Sequence, residues 1–393
     1  METKRKKCAL LPWLLAGAHP GCRHIGGITM LYHEFKGKKL SALGMGCMRL
    51  PHIGEGDSAI DEEGAAALVE LARQKGINYF DTAWGYHGGN SEIVMGKILR
   101  QYPRDSYYFA TKFPSFETSF FEDPAGTFER QMEKTGLDHF DFYLLHNVWE
   151  KNADDFLDPR HGVLDYVLRQ KEAGRIGHLG FSCHGKPELL SRFLEAAGEH
   201  MEFGMLQLNW LDWTYQRGAE KAALLRARGI PLWIMEPLRG GALCRLPEKD
   251  RAALAALHPD WSLPRWAMNF VRDVPGPTMV LSGMSAPGQV EENAALFSAD
   301  EPLTQADRAA LEAIAGRMTA GVPCTACRYC VDHCPRKLDI PKLLEAYNDG
   351  APAPAGEAGP SACVGCKACE KVCPQDIKIS STLAAWTGKK DLS

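Results

Sequence analysis

Eight cysteines stand in two copies of one grid, CTACRYCVDHCP from Cys324 to Pro335 and CVGCKACEKVCP from Cys363 to Pro374. Each copy spells C-x2-C-x2-C-x3-C-P, the spacing with which bacterial ferredoxins hold 4Fe-4S clusters. Three thiolates on one tight loop reach three corners of a cubane, and the fourth, before proline, reaches the other cluster. By that rule Cys324, Cys327, Cys330 and Cys373 ligate one cluster, and Cys363, Cys366, Cys369 and Cys334 ligate the second. Zinc ribbons are the competing use of paired cysteines, but they rarely take two four-cysteine runs of this spacing. The expectation is two one-electron carriers behind a long stretch of other sequence.

A second constellation lies earlier: Asp81 and Tyr86 in FDTAWGY, Lys112 in ATK, and His146 in YLLH. These four types suit proton transfer to a carbonyl. A tyrosine hydroxyl can protonate a carbonyl oxygen as hydride reaches the carbon, provided its pKa of about 10 is lowered by a nearby ammonium. Lys112 is expected to lower it, Asp81 to hold Lys112 and keep it charged, and a neutral His146 to give the developing oxyanion a second hydrogen bond. Singly, each has a plainer use: Asp81 as a helix cap, Lys112 as a rim charge, Tyr86 as a loop aromatic, His146 as a core histidine. Their joint occurrence at strand ends favours a site.

Such residues need a scaffold that brings separate segments to one place. From Leu40 to about Ser298, short apolar runs alternate with helix-like segments, the pattern of strand-helix units around a parallel sheet. Eight runs read as strands: LSALGMGC, INYFDTA, YYFATK, FDFYLLH, IGHLGFS, FGMLQLNW, PLWIMEP and TMVLSGM. Helical stretches such as GTFERQMEKTG, VLDYVLRQKEAG and AEKAALLRARG separate them and end in Gly. This predicts an α/β chain with a closed (β/α)8 TIM barrel, followed by a small ferredoxin-like 4Fe-4S domain. Catalytic groups in such a barrel sit at the C-terminal strand ends, where all four polar candidates fall. An open doubly wound sheet is the alternative, weakened because no G-x-G-x-x-G turn follows any strand.

On the strength of D-T-A-x-x-Y at Asp81 to Tyr86, Lys112 and His146 at strand ends, GMGCMRLP at the opening and LSGMSAPGQVEEN at the close, residues 40–298 resemble the aldo-keto reductase family. With the cysteine tail, the chain is similar to the subgroup carrying a C-terminal two-cluster ferredoxin module. The resemblance implies that the four residues form a catalytic tetrad and that NAD(P)H lies across the barrel mouth. It implies Ser182 and Gln207 as carboxamide ligands, with Cys183 where the family usually has asparagine, and Trp210 as a stacking partner. It also implies Arg239 at the pyrophosphate, and Gly283 and Asn293 in the segment after the eighth strand. That segment lacks the Lys or Arg that meets a 2'-phosphate, so NADP selectivity is not written there.

Organisation and composition add limits. Residues 1–29 read as a disordered extension or an unused upstream start. A basic, apolar opening there imitates a signal peptide but is too short to span a bilayer. The barrel is expected over 30–300, a connecting helix over 301–320 and the cluster domain over 321–393. A net charge of -4 gives no reason to expect nucleic acid, and no membrane is implied. Five scattered cysteines do not make a disulfide framework, which favours a reducing, cytoplasmic setting. GFSCHGK imitates a phosphate-binding loop, but Pro187 replaces the required Ser or Thr. The expected partners are a small carbonyl or alcohol substrate and a redox partner protein. Two other roles stay open: a nicotinamide-independent, ferredoxin-fed carbonyl reductase, and a non-catalytic electron-transfer protein.

Overall fold

The computed structural model describes residues 30–388 apart from 55, 57, 299–300 and 319–320. The extension expected over residues 1–29 lies outside them. β1 (Tyr32–Phe35) and β2 (Lys38–Ser41) form an antiparallel hairpin. Its turn takes positive φ at both central residues, 46° at Lys36 and 79° at Gly37, the sense of turn that matches strand twist. Periodicity alone reads LSALGMGC as one strand. The structure divides it, giving Leu40 and Ser41 to the hairpin and starting the barrel strand at Leu43.

Eight parallel strands then close on themselves: β3 (Leu43–Gly46), β4 (Tyr79–Asp81), β5 (Tyr108–Phe113), β6 (Phe140–Val148), β7 (Ile176–Cys183), β8 (Phe203–Gln207), β9 (Leu232–Met235) and β10 (Pro277–Gly283). The neighbour order is β10-β3-β4-β5-β6-β7-β8-β9, which is the closed (β/α)8 barrel and not the open sheet. Tyr79, Phe142, Phe203, Trp233 and Met279 fill the half of the interior where the strands begin. Phe35 and Leu40 of the hairpin join that cluster, the Phe35 ring lying 5.8 Å from the rings of both Phe142 and Trp233. The hairpin therefore stoppers one end. Polar strand ends are left at the opposite rim.

Helices cover the outside. Glu62–Gln74 is capped by Asp61, which accepts from the Gly64 N–H at 3.0 Å, and Pro124–Thr135 by Asp123, which accepts from the Gly126 N–H at 2.8 Å. Ser91–Leu99 crosses Pro124–Thr135 so closely that a Cβ on Gly96 would stand 2.2 Å from the Thr135 carbonyl oxygen. The helix Gln305–Met318 packs Leu311, Ile314 and Ala315 into the main core, and Arg317 pairs with Asp250 at 2.6 Å.

The cysteine region is built twice over. Arg328 and Lys367, each between the second and third cysteines of its grid, take left-handed conformations and start the short helices Tyr329–Asp332 and Ala368–Lys371. The helices Ile340–Asn348 and Ile379–Trp386 contribute Leu343, Leu344 and Leu383 to a separate small core with Leu338 and Ile377. No helix among the described residues is long and apolar enough to cross a membrane.

Candidate active site at the barrel mouth

Three of the four polar candidates meet at one ammonium. Asp81 ends β4 and Lys112 lies one residue from the end of β5, in adjacent paired strands. Lys112 Nζ donates to Asp81 Oδ1 at 2.5 Å, to the Thr82 carbonyl at 2.6 Å and to the Tyr86 hydroxyl at 3.2 Å. Three acceptors match the three N–H bonds of an ammonium. Lys112 is 1% exposed and Asp81 3%, so each supplies the other's counter-charge out of water, while Asp81 Oδ2 meets no protein partner. Tyr86 opens a short turn, Tyr86–Gly89, after β4. His146, near the end of β6, lies edge-on to it, ring centroids 6.0 Å apart.

Burial sets the protonation states. His146 is pushed well below the usual histidine range by burial and then by the Lys112 and His184 charges, so its imidazole is neutral. Tyr86 contradicts the expected direction. Its hydroxyl is raised well above 10, first by burial and then by the Asp81 carboxylate. The phenol is held as an acid. Burial also raises Asp81, against the opposing pull of Lys112.

The cysteines divide into two groups of four. Cys324, Cys327, Cys330 and Cys373 line one cavity, and Cys334, Cys363, Cys366 and Cys369 line another. These are the same groups that the spacing rule couples. Among the described residues no three Cys, His, Asp or Glu side chains converge closely enough to hold a single ion. The four thiols of each group line a shared space.

The residues expected to hold a nucleotide are otherwise engaged. Gln207, at the end of β8, donates to Asp212 Oδ2 at 2.8 Å and accepts from the Gln375 amide of the cysteine region at 2.9 Å. Arg239 pairs with Asp212 at 3.1 Å and donates to the Pro323 carbonyl, also at 3.1 Å. Ser182 is buried and accepts from the Asn147 N–H at 2.8 Å. Trp210 is packed in the main core, Asn293 donates to Ser282 at 3.1 Å, and Gly283 lies at the exposed end of β10. The cysteine module is seated on the mouth itself. Arg49 donates to the Ala326 carbonyl at 2.8 Å, and Lys151 to that of Glu370, also at 2.8 Å. Tyr329, from between Cys327 and Cys330, brings its hydroxyl beside that of Tyr86.

Several site residues are not singled out by the sequence. Glu236 follows β9 at the same rim, and its carboxyl is held up at about 7 by burial and by Asp212. The strand-end rule points to it in the same way as to the tetrad. His184, whose Nδ1 lies 3.0 Å from Gln207 Oε1, follows β7 and is equally open to that rule. Tyr329 and Gln375 carry no such signal, since their place depends on docking.

Comparison with known proteins agrees with this architecture. The aldo/keto reductase family model matches residues 42–315, and a 4Fe-4S dicluster domain model matches residues 323–377. A probable aldo-keto reductase of Glycine max is 28% identical over 52% of this chain, which spans 58% of that protein. The L-galactose dehydrogenase of Arabidopsis thaliana is 26% identical over 68% of this chain and 87% of its own length. The holo form of an aldo-keto reductase from Bacillus halodurans superposes with a TM-score of 0.58 at 24% identity, covering 72% of this chain and 96% of that one. An aldo-keto reductase from Klebsiella pneumoniae in complex with NADPH gives 0.58 at 18% identity over 72% and 95% of the two chains. With a closed barrel, a polar cluster at its mouth and a family match over most of its length, the chain belongs to the aldo/keto reductase family.

Proposed function

We propose that the chain is an oxidoreductase that interconverts a small carbonyl compound and its alcohol at the barrel mouth, with Tyr86 passing the proton to or from oxygen. The observation that carries this reading is the placement of one ammonium, Lys112, against both Asp81 and the Tyr86 hydroxyl. Because the Tyr86 oxygen accepts from Lys112, its own proton is free to point at a substrate oxygen. A neutral His146 can add a second hydrogen bond to that oxygen as charge builds on it. Carbonyl to alcohol takes two electrons and two protons in all.

The eight thiols fit two 4Fe-4S clusters, since each group of four lines its own cavity. Such clusters, when bound, supply electrons one at a time. NAD(P)H is the donor that family membership suggests. The seat of Gln207 and Arg239 under the module favours a second reading, in which a ferredoxin-like partner protein feeds the clusters and these supply the barrel. A reducing, cytoplasmic setting suits the thiols.

Tyr86→Phe tests the proton role common to both readings. Turnover of an aldehyde and ketone panel, with NADPH or with a chemically reduced ferredoxin as donor, is expected to fall by about 100-fold or more. Full turnover by the variant with either donor would remove Tyr86 from the chemistry.

A further inference from the structure

The carboxamide end of the expected nucleotide seat, at Gln207, is occupied by the chain's own Gln375, while an open cavity lined by Arg49, Arg239, Gly240 and Ser285 remains beside it. Gln375 presents a primary carboxamide, the same group that nicotinamide carries, and gives its N–H to Gln207 at 2.9 Å. Its oxygen accepts from Gln216 at 2.6 Å, so both ends of the amide are used. At the neighbouring position expected for a pyrophosphate, Arg239 donates to the Pro323 carbonyl at 3.1 Å. The approach beside it is closer still. Gly240, φ 61°, passes so near the Thr325 carbonyl that a Cβ there would stand 1.8 Å from its oxygen. The seat has nonetheless kept its polar groups. Beside Ser182, the buried side-chain amide of Asn147 meets no protein partner at either end, which is costly for a group with no use.

We propose that the docked cysteine module and a nicotinamide nucleotide compete for this one seat, so that the chain holds either the module against Tyr86 or the nucleotide, never both. The proposal rests on reading Ser182, Gln207 and Arg239 as nucleotide ligands. Its energetic form is simple. If docking is favoured nine to one, the apparent nucleotide affinity falls about tenfold below that of the open barrel, and loosening the module restores it. Electron supply by hydride and electron supply through the module become alternative states of one molecule.

The test uses the full chain with its clusters intact under anaerobic conditions, and two variants that loosen docking. Gly240→Ala drives a methyl group into the Thr325 carbonyl. Lys151→Ala/Gln375→Ala removes contacts on the other side of the interface without touching the tetrad. Binding of NADH and of NADPH is followed by nucleotide fluorescence, and amide hydrogen exchange is followed over residues 322–329 and 371–377. The expected result is about tenfold tighter binding of the better nucleotide by both variants than by the unaltered chain, with that nucleotide at saturation raising exchange in both segments of the unaltered chain. Equal affinities with unchanged exchange would overturn the competition while leaving the nucleotide seat in place. Failure of all three proteins to bind either NADH or NADPH would overturn the seat and the competition together. Neither result touches the proton role of Tyr86, which the turnover of Tyr86→Phe reads separately.

Discussion

Gln375 donates its side-chain amide to Gln207 at 2.9 Å, joining residues 168 positions apart and fastening the cysteine module to the end of a barrel strand. Tyr329 lies beside the Tyr86 hydroxyl, so the module reaches both the expected cofactor seat and the proposed proton donor. A family that works with a diffusible nucleotide is here given a covalently attached neighbour at the same doorway.

The Asp81–Lys112 pair is expected to hold structure as well as chemistry. Asp81→Asn leaves a fully buried ammonium without its counter-charge, a loss of about 3 to 5 kcal/mol by analogy with other broken buried pairs. Denaturant unfolding should show a lowered midpoint, and turnover should fall with it. An unchanged midpoint would show that the pair adds nothing net to stability.

Acid should weaken the barrel mouth through its histidines. His184 is held down at about 4, first by burial and then by the Lys221 charge, against an ordinary value of 6.5. Below 6.5 the unfolded chain takes up a proton that the folded chain refuses. This contribution to stability is therefore complete above 6.5 and lost as pH falls toward 4, at most about 3 kcal/mol. Melting temperatures of the unaltered chain and His184→Gln, compared across that range, should converge at the acid end. Parallel curves would show that His184 titrates normally.

The crossing of the two grids can be read from iron. Cys373 shares its cavity with Cys324, Cys327 and Cys330, not with its own neighbours in sequence. Cys373→Ser is therefore expected to lose or alter the cluster on the Cys324 side, leaving about half of the iron and one unperturbed paramagnetic signal. Perturbation of the Cys363-side signal alone would mean that each grid ligates its own cluster.

Gly96→Ala should harm stability and spare chemistry. The added methyl meets the Thr135 carbonyl at 2.2 Å, and backbone cannot step aside as a flexible side chain can. A loss of about 1 to 3 kcal/mol is expected from overpacking, with turnover at moderate temperature unchanged. Unchanged stability would show that the two helices slide freely.

Much of this arrangement is legible in the residues. The eight barrel strands are continuous apolar runs bounded by turns, and the rule that chemistry sits at their C-terminal ends picks out Asp81, Lys112 and His146 without a structure. The hairpin is not legible, because Leu40 and Ser41 run on into the barrel strand and the Lys36–Gly37 turn is a weak signal. The direction of the Tyr86 shift fails for another reason. Residue types announce that a lysine and an aspartate are near, but not how deeply the phenol is buried or that the aspartate's charge acts on it. The seating of Gln375 on Gln207 has no local signature, since surface complementarity between distant segments leaves no periodicity.

The cavity shared by Cys324, Cys327, Cys330 and Cys373 has a consequence for synthesis. A ribosome delivers its first three thiols well before the fourth, and delivers every barrel strand before any of them. While that wait lasts, every barrel strand has been made and the module that covers their rim has not. Whatever small molecule is present then meets the enzyme before its own tail does.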